Sequence, residues 1–212
     1  KLSTRILLEP EPKNTAPALT MAALAAQDTN ADSLLVVIPA DHYVKDLGSF
    51  VVAMNAGIKA TADQMIVTLG ITPTRPDTGF GYIHYDGDGM VKNVLTFKEK
   101  PELYVAKQMI EQGQHAWNGG MFILQSKTWL NAIQQSNPKI HKTVLHAWQS
   151  KKSDKWFVRP DSELFEQSPS DSIDYAVMEK AKEIKIDVKL VVLNAGWSDL
   201  GSFDALDDIE NK

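Results

Sequence analysis

Leu34-Leu35-Val36-Val37-Ile38-Pro39-Ala40-Asp41-His42 reads as a strand running into a loop that carries an acid. The apolar run is rich in branched side chains and is stopped by Pro39, whose ring cannot continue a ladder. An unbroken run of this kind suits a strand buried on both faces of a parallel sheet. Asp41 then falls just past the carboxyl end of that strand, where open α/β sheets place their ligands. A carboxylate there can hold Mg2+, which takes one or two protein carboxylates together with substrate phosphates. It can equally cap the helix that follows.

Working outward, Thr15 introduces an alanine-rich stretch over residues 18–26 with strong helix propensity. Before it, residues 5–8 form a short apolar run of interior-strand character, ended by Glu9-Pro10-Glu11-Pro12. Downstream, residues 50–62 predict a helix and 65–70 another buried strand. Residues 80–84 and 91–99 flank Asp86-Gly87-Asp88-Gly89 and predict a hairpin. Helices follow over 101–111, 127–134, 138–150 and 172–182, with strands over 120–124 and 184–193. Alternating strands and helices predict an α/β fold, a three-layer arrangement with a mixed, mostly parallel sheet covered by helices on both faces. With 212 residues, no repeat and no linker, a single domain over residues 1–212 is expected. Because the chain opens directly on an apolar strand, that sheet is expected to lack its first strand.

The bulk numbers exclude several classes. A net charge of −5 argues against a nucleic-acid binder, which shows a basic patch or a high pI. With no cysteine, disulfides, thiolate zinc sites and cysteine nucleophiles are absent. No apolar run reaches the roughly 18 residues of a membrane span, and a cytoplasmic protein is expected. The five histidines show no metal-ligand spacing, and no nucleophile-elbow motif is present.

Other stretches join Asp41 as candidates. Gly196-Trp197-Ser198-Asp199-Leu200-Gly201-Ser202 follows a strand, so Asp199 offers a second carboxylate, or else satisfies amides of an ordinary turn. In Phe97-Lys98-Glu99-Lys100-Pro101, a lysine held extended before proline is a directed charge for a phosphate, and Glu99 can accept from hydroxyls. The same segment also reads as a solvated strand end. Asn118 in Trp117-Asn118-Gly119-Gly120 carries a donor and an acceptor for a sugar hydroxyl, although Asn-Gly equally marks a tight turn. Gly79 and Gly81 permit close backbone approach or a bulge. At Lys13-Asn14-Thr15-Ala16-Pro17 the free amides of a helix start can meet a base or phosphate, or Asn14 or Thr15 is simply the cap.

The order of these motifs resembles the bacterial mannose-1-phosphate guanylyltransferases, within the sugar-1-phosphate nucleotidylyltransferases. Glu-Pro-Lys-Asn-Thr-Ala-Pro-Ala at 11–18, Pro-Ala-Asp-His at 39–42 and Thr-Gly-Phe-Gly-Tyr-Ile at 78–83 carry the likeness. Phe-Lys-Glu-Lys-Pro at 97–101, Trp-Asn-Gly-Gly-Met-Phe at 117–122, Ser-Ile-Asp-Tyr-Ala-Val-Met-Glu-Lys at 172–180 and Trp-Ser-Asp-Leu-Gly-Ser at 197–202 extend it. The resemblance implies a Rossmann-like nucleotidyltransferase fold, with Asp41 and Asp199 as paired Mg2+ ligands and Lys100 on the sugar phosphate. It implies Glu99, Asn118, Asp174 and the backbone of Gly81 on the sugar, and Asn14, Thr15 and Ala16 around the nucleotide base. The family's first strand and triphosphate-gripping, glycine-rich loop have no counterpart in these residues, so a fragment that is inactive by itself is expected. The C-terminal β-helix or isomerase region of longer relatives has no counterpart either.

The implied reaction transfers GMP from GTP to mannose 1-phosphate, giving GDP-mannose and pyrophosphate, with neither nucleic acid nor membrane as partner and with room for a homodimer. Three alternatives stay open at this stage. The first is a nucleotidylyltransferase for another hexose 1-phosphate. The second is a glycosyltransferase using Asp86-Gly87-Asp88 as its metal motif. The third is a non-catalytic homologue that binds a sugar nucleotide and regulates a partner.

Overall fold

The computed structural model describes residues 4–62 and 64–200. Its first elements are β1 (Ile6–Leu7), α1 (Thr15–Gln27), β2 (Leu34–Val37), β3 (Tyr43–Val44), α2 (Leu47–Ala60) and β4 (Met65–Ile71). Next come β5 (Tyr82–Asp86), β6 (Val91–Lys98), α3 (Leu103–Gln112), β7 (His115–Gln125), α4 (Ser126–Ser136) and α5 (Pro138–Gln149). The last are β8 (Lys152–Ser153), β9 (Phe157–Arg159), α6 (Ser162–Glu166), α7 (Ile173–Ala176), β10 (Asp187–Leu193) and β11 (Trp197–Ser198). The described residues form two compact units, those within 1–35, 62–65 and 124–187 in one and those within 36–61, 66–123 and 188–212 in the other.

The first unit is helical at its centre. In α1 the small residues Ala16, Ala23 and Thr20 are buried with Leu19, Met21 and Leu24, so α4 and α5 pack directly against it. Trp129 of α4 is fully buried, and its indole N–H donates to the Thr20 hydroxyl at 3.0 Å, which in turn donates to the Ala16 carbonyl at 2.8 Å. A large aromatic side chain is thereby buried without an orphaned donor. Pro138 opens α5 at a position where its missing N–H costs nothing, and Asn137 caps it. A small sheet of order β1-β9-β8 completes the unit, with Ile6 and Leu7 parallel to Phe157 and Val158. The interior strand expected at residues 5–8 is therefore a two-residue strand of this minor sheet, and Ile6 is 43% exposed.

The second unit is built on the six-stranded sheet of order β2-β7-β4-β10-β6-β5. The expected mixed α/β sheet is present, and the hairpin β5–β6 supplies much of its antiparallel part. β6 pairs antiparallel with β10 as well, and β5 pairs antiparallel with β7. Ile83, Ala116 and Leu190 form a core between these strands, with Tyr85, Val94, Phe97 and Val192 packed around them. Backbone approach is tight there: a Cβ on Gly70 would lie 2.5 Å from Leu190 Cδ1, and one on Gly57 of α2 would lie 2.5 Å from Ile123 Cδ1. Asp86 accepts from the Asn93 amide at 2.9 Å across the hairpin, with Gly87 and Gly89 at positive φ. That is turn chemistry, so Asp86-Gly87-Asp88 is a hairpin tip.

One expectation about this sheet fails. β2 is a strand, but Leu34, Val36 and Ile38 are 40%, 42% and 47% exposed, not buried on both faces. β2 lies at the end of the strand order. Residues of period 2 share a face, so the exposed side chains form one stripe along an edge strand.

Candidate functional site

Two very short strands carry the two candidate carboxylates to one place. β3 and β11 pair antiparallel, with Val44 opposite Trp197 and Tyr43 opposite Ser198. The N–H groups of Lys45 and Asp46 prolong the pairing by donating to the carbonyls of Gly196 and Ala195 at 3.2 and 2.9 Å. Gly196, at φ 61°, permits this approach, since a Cβ there would lie 3.0 Å from Lys45 Cβ. The last pair of this ladder, Tyr43 with Ser198, leaves His42 and Asp199 as the next residues on its two sides, with Asp41 the neighbour of His42. Gly201 and Ser202, the end of the motif read around Asp199, lie outside the described residues.

The electrostatics of His42 report the same convergence. Burial lowers its pKa most strongly, and the negative charges of Asp41 and Asp199 both push it back upward. His42 Nδ1 lies 3.1 Å from the indole nitrogen of Trp197. An indole N–H can only donate, so this ring nitrogen is the acceptor and carries no proton.

Asp41 does not cap the following helix. Asp46 does, accepting from the Ser49 N–H at 3.0 Å and from the Ser49 hydroxyl at 2.6 Å. These bonds hold the Asp46 carboxyl below the usual carboxylate range. Among the described residues no group of three or more His, Cys, Asp or Glu side chains is arranged to hold a metal ion. Asp41 and Asp199 both lie near enough to His42 for their charges to act on it, and two carboxylates are the number a hard cation such as Mg2+ commonly takes from protein.

The sugar-side candidates meet on the neighbouring strands. The Asn118 N–H donates to the Gly81 carbonyl at 2.8 Å. A Cβ on Gly81 would collide with Glu99 Oε2 and lie 3.3 Å from Asn118 Cβ, so Gly81, Glu99 and Asn118 are mutual neighbours. The Asn118 side-chain oxygen accepts from the Gly120 N–H at 3.2 Å, and a Cβ on Gly120 would lie 3.5 Å from Pro39 Cγ and 3.8 Å from His42 Cε1. Through Gly120, this trio adjoins the loop that carries Asp41. The tight turn read at Asn118-Gly119 is absent, because both residues lie inside β7 and only Gly120 departs, with φ 65°.

Lys100 corrects the sequence reading in another way. It is exposed, as expected, but its φ is 40°, left-handed and not extended. Proline next in the chain favours an extended residue before it, so this backbone is strained and held by its surroundings, among them the buried Pro101.

Sequence reasoning passed over the aromatic groups beside the carboxylates. Phe80 stacks obliquely on Trp117 at 5.0 Å and meets Trp197 edge-on at 5.6 Å, and the Arg75 guanidinium lies 5.7 Å over the Trp117 ring. Arg75 also pairs with Asp77 at 2.8 Å, and Asp77 is tied through both backbone groups to the Tyr82 hydroxyl. Asp77 also accepts from the Gly79 N–H at 2.8 Å, which shapes the loop before Gly81. The indole nitrogen of Trp117 is buried without a hydrogen-bond partner among the described residues. The signal available in the sequence was the aromatic residue next to each candidate: Phe80 before Gly81, Trp117 before Asn118, Trp197 two before Asp199.

Asn14, Thr15, Ala16 and Asp174 belong to the first unit and meet there. Asn14, at φ 67°, is the cap of α1, accepting from the Thr15 N–H at 2.8 Å. The Ala16 N–H donates to the Asp171 carbonyl at 3.0 Å, and the Asp171 N–H donates to the Lys13 carbonyl at 3.2 Å. The Ile173 N–H donates to the Thr15 hydroxyl at 2.9 Å, which sets Asp174, in the first turn of α7, beside the start of α1.

Comparison with known proteins gives the family and the fold. The chain is 41% identical over 207 residues to the xanthan biosynthesis protein XanB of Xanthomonas campestris pv. campestris, covering 98% of this chain and 44% of that one. It is 40% identical over 218 residues to the mannose-1-phosphate guanylyltransferase RfbM of Salmonella typhimurium, covering 100% and 44%. The chain thus spans less than half the length of these curated relatives. Among solved structures it matches one described as a mannose-1-phosphate geranyltransferase from Thermus thermophilus, with TM-score 0.86, 32% identity and coverage of 98% of this chain and 58% of that one. The fold is that α/β nucleotidyltransferase fold. The profile of the family described as nucleotidyl transferase matches residues 1–212, and the chain belongs to that family.

Proposed function

We propose that this chain supplies the catalytic domain of an enzyme transferring GMP from GTP to mannose 1-phosphate, with release of pyrophosphate and formation of GDP-mannose. The observation that carries this reading is the meeting of Asp41 and Asp199 around His42, next to Gly81, Glu99 and Asn118. The names of the relatives RfbM and XanB, a guanylyltransferase and a polysaccharide biosynthesis protein, support it.

The chemistry needs little from a base, because the attacking phosphate oxygen is already anionic. The difficulty is bringing two anions together. Asp41 and Asp199 would hold Mg2+, and the ion, when bound, screens the phosphate charges. Lys100 contributes a fixed positive charge toward the sugar phosphate, on a backbone whose strain marks it as placed. Glu99 accepts from the hexose hydroxyls, and Asn118, whose side-chain oxygen holds the Gly120 N–H, orients them with its amide NH2. Gly81 contributes room, since its carbonyl is already occupied by Asn118. Asn14, Thr15 and Ala16 keep the nucleotide base, and Asp174 the sugar, as the roles that the family resemblance implies for them. No helix among the described residues is long and apolar enough to cross a membrane, in keeping with a cytoplasmic enzyme of water-soluble substrates.

The test is a substrate panel with the full-length protein. GTP and mannose 1-phosphate should release pyrophosphate faster than UTP, dTTP or glucose 1-phosphate in any combination. Preference for another pair would move the enzyme to another branch of the family, and no turnover with any pair would overturn the reading.

A further inference from the structure

The hydrogen bond between Trp197 and His42 ties the strand that leads to Asp199 to the loop that carries Asp41, and the backbone pairing of β3 with β11 does not reach His42. The ladder ends at Tyr43 and Ser198, one residue short of His42 and Asp199. Beyond it the backbone breaks away, with Leu200 at φ 52° and its N–H taken by the Ser198 hydroxyl at 3.2 Å. Past the last ladder pair, the link is made by side chains. Trp197 Nε1–H donates to His42 Nδ1 at 3.1 Å, and the two rings meet edge to face at 5.1 Å and 89°. Phe80 also meets the indole, at 5.6 Å.

From this geometry we infer that Trp197 and His42 are positioning residues, whose hydrogen bond fixes the spacing of Asp41 and Asp199 and thereby the affinity of that pair for a divalent cation. The inference rests on the proposed function. An orienting hydrogen bond behind a ligand is worth about 10–100-fold in metal affinity. His42 is not placed as a ligand: its Nδ1 is spent on Trp197, and its role is to hold the chain on either side of Asp41. Trp197 is placed likewise on the strand that leads to Asp199.

The experiment measures Mn2+ binding to the full-length protein by electron paramagnetic resonance, without substrate, alongside steady-state kinetics and thermal melts. Trp197→Phe keeps the ring against Phe80 and deletes only the donor. His42→Leu deletes the acceptor, whereas His42→Asn restores an acceptor near the position of Nδ1. The expected result is Mn2+ affinity weakened about 10–100-fold in Trp197→Phe and His42→Leu and largely recovered in His42→Asn. The metal concentration for half-maximal rate should rise in parallel, while the KM for mannose 1-phosphate stays near that of the unaltered protein. Asp41→Asn and Asp199→Asn separate the two levels of the argument. If both leave Mn2+ binding intact, or the unaltered protein binds none, the metal-site reading falls. If both abolish it while folded Trp197→Phe binds Mn2+ normally, the positioning role falls and the metal site stands. Loss of the folded state in Trp197→Phe shifts the decision to the contrast between His42→Leu and His42→Asn, where equal affinities overturn the inference.

Discussion

The backbone N–H of Ile173 donates to the hydroxyl of Thr15 at 2.9 Å, across a separation of 158 residues. Ile173 is 5% exposed, so no water can replace that hydroxyl freely. Thr15→Val, which keeps the shape and removes the acceptor, should lower stability by about 1–3 kcal/mol in urea unfolding, and Thr15→Ser should recover most of it. Equal midpoints for the valine and serine variants would show that the bond contributes nothing. If the segment also faces the nucleotide, Thr15→Val should raise the KM for GTP as well.

Asp199→Asn in the full-length enzyme should reduce kcat by about 10²–10³-fold with the melting temperature nearly unchanged. An amide keeps the size but loses the charge that a divalent cation requires. Near-normal turnover would remove Asp199 from the reaction.

Gly81→Ala should act chiefly through Glu99. The new methyl would occupy the space of Glu99 Oε2, so the carboxylate must move, and with it any hydroxyl bound there under the proposed function. The KM for the sugar phosphate should rise on the order of tenfold, about 1.4 kcal/mol. The methyl should also cost about 1–3 kcal/mol of stability through overpacking. Unchanged kinetics would mean that Glu99 does not touch the sugar.

Lys100→Gly should divide stability from activity. Glycine relaxes a left-handed backbone that costs a lysine about 1–3 kcal/mol, so the variant should melt slightly higher while losing most turnover for lack of the ammonium. Lys100→Met should lose turnover without that gain in stability. A Lys100→Gly variant that is both active and no more stable would remove the functional reading of the strain.

Stability should fall on mild acidification. His115 is 9% exposed and lies stacked on His84 at 4.6 Å and 8°. Burial pushes the His115 pKa down, the Gly113 carbonyl at 2.7 Å from Nδ1 pulls it up, and the neighbouring His84 pushes it down again. Its net direction is below the ordinary 6.5. The unfolded chain therefore binds a proton where the folded chain does not, and stability increases with pH in that interval. The contribution is whole above about pH 6.5 and is lost as pH falls toward the folded value. His115→Gln should flatten the dependence of melting temperature on pH in that interval. An unaltered slope would assign the effect elsewhere, for instance to His141, whose pKa burial lowers in the same direction.

Elements with a long period-2 or helical pattern were legible in the sequence: α1, β4, the hairpin β5–β6, α4 and α5 all lie where their residues predict. Exposure was not, because burial of Leu34, Val36 and Ile38 depends on spatial neighbours and not on their own apolar character. The backbone of Lys100 was misread for a local reason, since proline predicts an extended predecessor and the surroundings override it. Asp41 was separable from a helix cap only once Asp46 was seen to fill that place. Strands of two residues, β3 and β11, carry no period at all, so the pairing of Tyr43 with Ser198, next to His42 and Asp199, could not be read from spacing.

The order of β2-β7-β4-β10-β6-β5 sets a timetable for biosynthesis. β10, at residues 187–193, lies between β4 and β6, which are translated some ninety or more positions earlier. Until the ribosome releases that late segment, β4 has β7 and β6 has β5 beside it, but the two edges that β10 will join have no permanent neighbour, and the stretch bearing Asp199 does not yet exist. During that interval the two open edges can pair with one another or with another molecule's exposed edge, the condition under which strands mispair. Synonymous codon changes that alter elongation speed just upstream of residue 187 should affect the yield of active protein more than the same changes near its start.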